Sequence, residues 1–167
     1  MVIDNLITKN PSLVAIIFSS SLLITALTLE YVSNLTPCQM CIWQRWPHLG
    51  VVVICLLSML IKNHYNTLLL LAGLLSLISS AIGLWHSGVE LGYFNLPSSC
   101  IDTNFNADIT LNDLLTKPIS GCDVIVWDFL GLSMANWNTI LSSFLGFFCI
   151  SFGFYNRVEH YGKEKRT

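Results

Sequence analysis

The residues in this chain best able to do chemistry are its cysteines. Cys38 and Cys41 form a C-x-x-C, Cys100 and Cys122 stand a loop's length apart, and Cys55 and Cys149 sit within long apolar runs. The thiolate is the nucleophile in disulfide exchange, and C-x-x-C pairs are recurrent redox elements whose thiolates form readily. A bridge across two intervening residues restrains little chain, so its entropic stabilisation is small. The first pair therefore reads as chemical. For Cys100 and Cys122 two readings stay open, a structural bridge that closes a loop and a redox partner of the first pair. A four-cysteine zinc site usually wants two closely spaced pairs, and the second pair is too widely separated for that template. No metal is expected. Buried free cysteine behaves as a small hydrophobe, so Cys55 and Cys149 are expected to be packing residues.

Arg45 lies four residues after Cys41. If a helix begins near Cys41, the two share one face. A guanidinium close to a sulfur at a helix N-terminus, where the dipole also favours negative charge, should make Cys41 an unusually stable thiolate. Arg45 has a second reading as an interface anchor that snorkels to the headgroups. The redox reading needs an electron acceptor, and the sequence has no haem-attachment C-x-x-C-H, Gly-rich dinucleotide loop or flavin fingerprint. A lipid-soluble quinone needs no such motif.

These groups have to be held by membrane elements. Of 167 residues 53% are hydrophobic and 11% charged, against roughly 25% charged in an ordinary soluble domain. The apolar residues gather into four blocks that predict transmembrane helices over about 12–29, 45–61, 67–85 and 136–155, each near the roughly 20 residues that a span needs. The second block is short, so its helix is expected to begin earlier, near Cys41. The first is longer than a signal peptide's apolar region and lacks a small-x-small cleavage site, so it reads as retained. The expected fold is an all-α membrane protein, one domain over 1–167, a four-helix bundle with extracytoplasmic loops at about 30–44 and 87–135. Lys9, Lys62, Arg157, Lys163, Lys165 and Arg166 flank the spans on one side. The positive-inside rule puts that side, with both termini, in the cytoplasm. The four loop cysteines then face outward. Within the long loop, Val124–Trp127 and Phe129–Leu130 form an apolar patch expected to lie on the membrane surface as an interfacial helix.

The residues Pro37-Cys38-Gln39-Met40-Cys41, Gln44-Arg45-Trp46-Pro47, Gly88-Val89-Glu90 ahead of Cys100, and Cys122-Asp123 leading into Trp127, Phe129–Ala135 and Trp137-Asn138 together resemble the DsbB family of disulfide bond formation proteins, over about residues 12 to 155. The resemblance implies a quinone-dependent oxidase of the bacterial inner membrane, using ubiquinone or menaquinone, that reoxidises a periplasmic thioredoxin-fold oxidase of the DsbA type. It implies that Cys100 forms the mixed disulfide with the partner and that Cys122 is its mate. It further implies that Cys38 bridges transiently to Cys122, that Cys41 interacts with quinone, and that Arg45 belongs to the quinone site. His86 stands where the family can carry a quinone-proximal histidine, and equally where a span end carries a polar interface residue. A DsbA-type oxidant has a potential of about -120 mV, so its reoxidation needs a still stronger acceptor, such as a quinone coupled to respiration.

Three rivals make different predictions. A vitamin K epoxide reductase-like enzyme would carry its C-x-x-C late, on the last span, whereas here it comes first. A tetraspan scaffold stapled by disulfides predicts bridges that resist mild reductant. A transporter would need a central ionisable residue in a span, and none is expected here. No basic patch outside the C-terminal tail suggests nucleic acid.

Overall fold

The computed structural model describes residues 10–33, 36–100 and 121–164. Lys9, Asp102, Asp108, Asp113, Lys117, Lys165 and Arg166 lie outside the described residues. Helix α1 is Pro11–Tyr31, α2 Gln39–Leu60, α3 Tyr65–Glu90 and α4 Met134–Glu164, with 3-10 turns at Lys62–His64 and Ser98–Cys100. All four helices are long and apolar enough to cross a membrane, α4 through its Met134–Tyr155 portion. The chain is a multi-pass membrane protein of the expected all-α class.

Local chemistry explains the boundaries. Pro11 stands in the first turn of α1, where its missing N–H is no loss. Cys38 caps α2, so that helix starts at Gln39 and takes Cys41 into its first turn. Pro47 lies inside α2 and leaves the Trp43 carbonyl without its usual donor, which a spanning helix tolerates when neighbours compensate. α3 continues past the expected end at 85 to Glu90, adding a turn that carries both His86 and Glu90.

Polarity is arranged inside out relative to a water-soluble bundle. Ile24, Val53, Leu74, Ile78, Phe144 and Phe147 are exposed, while Ser12, Ser19, Ser58, Ser76, Ser79 and Ser142 are buried. In lipid, apolar side chains gain little from burial against one another, so helices associate through close packing and interhelical hydrogen bonds. Ser76 donates to the Ser142 carbonyl at 2.8 Å, Ser80 to the Thr139 carbonyl at 3.0 Å, and Ser12 and Ser58 share a bond of 2.8 Å. Glycine sets the closest approach: a Cβ on Gly73 would stand 3.0 Å from the Gly146 carbonyl oxygen, and one on Gly146 3.1 Å from that of Gly73. On the exposed face of α1, Ser21, Thr25 and Thr28 bond the carbonyls one turn back, at 2.7, 2.8 and 2.8 Å, so these three hydroxyls are not left bare. Among the described residues no buried side-chain nitrogen or oxygen lacks a partner.

Ala15, Val51, Leu69, Ala72 and Leu145 form one apolar core with Cys55 and Cys149, both fully buried. Those two cysteines are packing residues, as expected. The apolar run after Cys122 is not an interfacial helix. Asp128–Phe129 pairs with Leu132–Ser133 as an antiparallel hairpin whose two turn residues, Leu130 and Gly131, have φ of 56° and 75°. Positive φ at both positions is the two-residue turn that matches strand twist, and it stops a helix from propagating. Trp127 stacks on Phe129 at 6.1 Å, and the Trp137 indole donates to the Phe129 carbonyl at 3.1 Å, tying the hairpin to α4.

Candidate active site

The site is assembled where α2 begins. Pro37 precedes Cys38, whose extended backbone (ψ 166°) makes it the N-cap, and its sulfur accepts the Cys41 backbone N–H at 3.2 Å. An N-cap sulfur therefore occupies the place normally taken by a serine or aspartate oxygen, at the positive end of the helix dipole. Both cysteines of this pair are free thiols, with the sulfurs 2.9 Å apart. The Cys41 thiol donating to Cys38, aided by His86 and the Cys41 N–H, lowers the Cys38 thiol to about 4 against a burial effect that pushes upward. The sequence favours Cys41 as the stable thiolate. In this redox state the anion-stabilising groups converge on Cys38 instead, because it is the cap and because the Arg45 guanidinium is turned to Glu30 of α1.

The second pair comes from the long segment between α3 and α4. Cys100 closes the short turn after Pro97, its N–H bonded to the Pro97 carbonyl at 2.9 Å, and it is disulfide-bonded to Cys122 with Cα atoms 5.8 Å apart. Cys38, Met40, Val89 and Cys122 form one buried cluster, with Cys41, Trp43, Leu96 and Cys100 packed against it. Cys38, Cys41, Cys100 and Cys122 therefore meet in one place. Thiol–disulfide exchange needs a thiolate that can reach a disulfide sulfur. Here a buried thiol that is readily ionised and a disulfide share one cluster.

His86 stands behind Cys38. Its Nε2 is 3.5 Å from the Cys38 sulfur and 3.7 Å from a Glu90 carboxylate oxygen, and Gln44 bonds Nδ1 at 3.0 Å. Glu90 also accepts a hydrogen bond from Ser133 of the hairpin.

Two cavities adjoin the pair. The larger, about 340 Å³, is walled by Leu22, Ala26, Leu29, Trp127, Phe129 and Leu141, with Cys41, Gln44, Arg45, His48 and Asn138 as its polar contacts. The smaller, about 20 Å³, lies among Cys38, Cys41, His86, Glu90 and Trp127. Cys41 borders both. His86 borders only the smaller one.

The family profile described as Disulfide bond formation protein DsbB matches residues 8–152, most of the chain. The chain belongs to the DsbB family. It is similar to the Disulfide bond formation protein B of Pasteurella multocida, 31% identical over 136 residues that cover 75% of each chain. It is similar also to that of Histophilus somni, 28% identical over 155 residues covering 86% of this chain and 87% of the other. An uncharacterized protein of Rickettsia prowazekii is 30% identical over 138 residues, 78% of this chain and 79% of that one. No solved structure matches. This DsbB-family chain is a membrane disulfide oxidoreductase.

Several residues that shape this DsbB site carry no expected role from sequence. His48 is 2% exposed inside α2, bonded to Ser19 at 3.4 Å, Ser142 at 3.0 Å and Asn138 at 3.2 Å. It corrects the expectation that no span holds a central ionisable residue, since it lies near the middle of α2. The signal was present: positions 41, 44, 45 and 48 follow helical spacing, so His48 shares a face with Cys41 and Gln44. Glu90 was legible as one turn beyond His86, and Asn138 had no signal beyond its place in a resembling motif.

Proposed function

We propose that this protein is a quinone-dependent thiol oxidase of the bacterial inner membrane that reoxidises a periplasmic thioredoxin-fold dithiol oxidase of the DsbA type. The observation that carries the reading is the convergence of both cysteine pairs in one buried cluster, with Cys41 opening onto the larger cavity. The names of both Disulfide bond formation protein B relatives describe disulfide bond formation, and the flanking basic residues Lys62, Arg157 and Lys163 favour an orientation with both termini in the cytoplasm and the cysteines outside.

The chain's own groups suffice for the exchange steps. A partner thiolate attacks the Cys100–Cys122 bond at Cys100, Cys122 leaves as thiolate, and the partner's second thiol then frees itself as a disulfide. Cys122 next attacks Cys38 of an oxidised Cys38–Cys41 pair and releases Cys41 as a thiolate facing the larger cavity. Cys100 then displaces Cys38 and restores the Cys100–Cys122 bond, which leaves the redox pattern seen here. Each step exchanges one sulfur–sulfur bond for another through thiolate attack.

The larger cavity suits a quinone ring: its aliphatic and aromatic walls match an apolar headgroup and isoprenoid tail, and Arg45, Gln44, His48 and Asn138 are polar groups able to bond ring oxygens. A bound ubiquinone or menaquinone would supply a two-electron acceptor next to Cys41. Arg45, already fixed by Glu30, would orient it. His86, which borders the smaller cavity, would act at the Cys38 sulfur.

The test is quinone absorbance in detergent on addition of a reduced DsbA-type partner. Partner-dependent loss of quinone that vanishes in Cys41→Ser and in Cys100→Ser is the expected result. No loss with intact, oxidised protein would overturn the reading in favour of a stapled scaffold or another acceptor.

A further inference from the structure

When the Cys38–Cys41 bond is reduced by two electrons, neutrality calls for two protons. In this structure the pair is reduced, yet the surroundings of Cys38 suit an anion: the Cys41 backbone N–H donates to its sulfur at the helix cap, the Cys41 sulfur is 2.9 Å away, and an imidazole nitrogen stands 3.5 Å off. One proton is held in the hydrogen bond between the two sulfurs. The other needs a place nearby, among groups that are themselves buried.

The geometry offers one. His86 is 3% exposed, and the same Nε2 faces the Cys38 sulfur at 3.5 Å and the Glu90 carboxylate at 3.7 Å. A proton on that nitrogen lies between a sulfur and a carboxylate. Glu90 is itself nearly buried, its side chain 6% exposed, and it is held at its far oxygen by the Ser133 hydroxyl. Ser133 is fixed in turn by bonds from the Asn136 N–H at 3.3 Å and the Asn136 side chain at 3.1 Å, and Asn136 accepts from Ser87 at 2.7 Å. A carboxylate that is desolvated and aimed is expensive unless it has a charged or hydrogen-bonding neighbour. The groups facing it are His86 from α3, Cys38 and Cys41 from the start of α2, and the uncharged Ser133 from the hairpin. The segment before the hairpin contributes Gly121, Val124, Val126 and Trp127 to the small cavity and no charge.

We propose that Glu90 is a positioning residue that holds, together with His86, the proton Cys38 lacks in the reduced pair, and so supplies the local base for exchange between the two cysteine pairs. This rests on the exchange proposed above. The step balances without any acceptor. The Cys100 thiol gives its proton to the His86–Glu90 pair, the Cys100 thiolate attacks Cys122 of the Cys38–Cys122 bond, and Cys38 leaves as a thiolate beside the newly protonated imidazole. One sulfur–sulfur bond forms and one breaks. The proton remains on His86–Glu90 until Cys38 is oxidised again.

The experiment uses full-length protein with both pairs oxidised, in quinone-free detergent, mixed with a reduced thioredoxin-fold dithiol protein. Samples are quenched in acid and alkylated, and the appearance of thiols at Cys38 and Cys41 is followed by mass at pH 6 to 9. Positioned acid–base groups contribute on the order of 10²–10⁴-fold to such steps. Glu90→Gln is therefore expected to slow transfer by at least about tenfold at pH 6 and to approach wild type within about twofold at pH 9, where thiols ionise to solvent unaided. Glu90→Asp keeps the charge and should retain the wild-type pH profile at reduced rate. An equal loss at every pH in Glu90→Gln, or no loss, would overturn the inference, as would a pH profile of Glu90→Asp that matches Glu90→Gln. A Glu90→Gln protein that no longer forms the Cys100–Cys122 bond has lost its fold, and the Glu90→Asp profile then decides alone. If wild type transfers no electrons from the partner to Cys38–Cys41, the proposed function fails first, a result distinct from wild-type transfer that Glu90→Gln matches.

Discussion

Cys38 and Cys55 are the same residue on the same helix, and both are buried, 6% and 0% exposed. Their neighbours set them apart. Cys55 lies with Cys149 among Ala15, Val51, Leu69 and Leu145, apolar groups that offer a sulfur anion nothing. Cys38 caps the helix, receives the Cys41 backbone N–H, shares a hydrogen bond with the Cys41 sulfur and faces His86. Burial alone does not decide what a thiol does in a membrane protein. The helix terminus and a single turn of a neighbouring helix decide it, and this bundle uses one end for chemistry and the other for packing.

The comparison is sharpest for the cysteines themselves. Replacing Cys38, Cys41, Cys100 or Cys122 by serine is expected to cut partner-driven turnover by at least about 10³-fold, the scale of losing a covalent nucleophile. Cys55→Ala and Cys149→Ala should leave that turnover within about twofold, since neither touches an exchanging sulfur. A large loss in either would break the contrast.

The pH dependence separates the two regions next. Folding lowers the Cys38 thiol from an ordinary 9.0 to about 4. The stability linked to that thiolate is complete above the ordinary thiol range and is lost as the pH falls through about 4. The thiolate population of Cys38 in the form with Cys100–Cys122 bonded, read by ultraviolet absorbance against Cys38→Ser, should therefore change little between pH 8 and pH 5. An ordinary thiol loses about 10³-fold over that interval, tenfold for each unit below its pKa. A Cys38 profile that falls like an ordinary thiol would remove the cap from the account.

Arg45 tests the acceptor side. A charged hydrogen bond to a ligand contributes about 1.5–3 kcal/mol, so Arg45→Ala is expected to slow quinone reduction by about 10- to 100-fold. Transfer from the partner to Cys38–Cys41 in quinone-free detergent should stay unchanged. At the packing end, Gly73→Val places a side chain against the Gly146 carbonyl and the Ile150 side chain. The expected loss is about 1–3 kcal/mol of stability, read from thermal unfolding in detergent.

Much of this was legible in the residue order, and the parts that were not share a cause. The four spans, the apolar placement of Cys55 and Cys149 and the family were readable because runs of apolar residues and a C-x-x-C with Arg45 are local patterns. The hairpin at Asp128–Ser133 was missed because Val124–Leu130 has the apolar content of a surface helix, while the deciding feature is positive φ at Leu130 and Gly131. The thiolate was expected at Cys41 because Arg45 is one turn away. The sequence does not show that Glu30, fifteen positions earlier, turns the guanidinium aside. Ser133 and Asn138 gain meaning only when α3, the hairpin and α4 are brought together, a tertiary event with no local signature.

Cys41 borders two cavities of very unequal size, about 340 and about 20 Å³. The smaller has room for roughly one water molecule, which needs at least about 10–15 Å³, and far too little for a tripeptide thiol. Bulk reductants such as glutathione therefore have no route through it to the Cys38 sulfur. In the proposed exchange, reducing equivalents arrive as a sulfur already attached to the chain, delivered by Cys122. On that reading the wall around the small space works as insulation on a wire: it would keep the oxidising power of the proposed acceptor from draining through that space into small-molecule thiols, and direct it to whichever protein can open the Cys100–Cys122 bond.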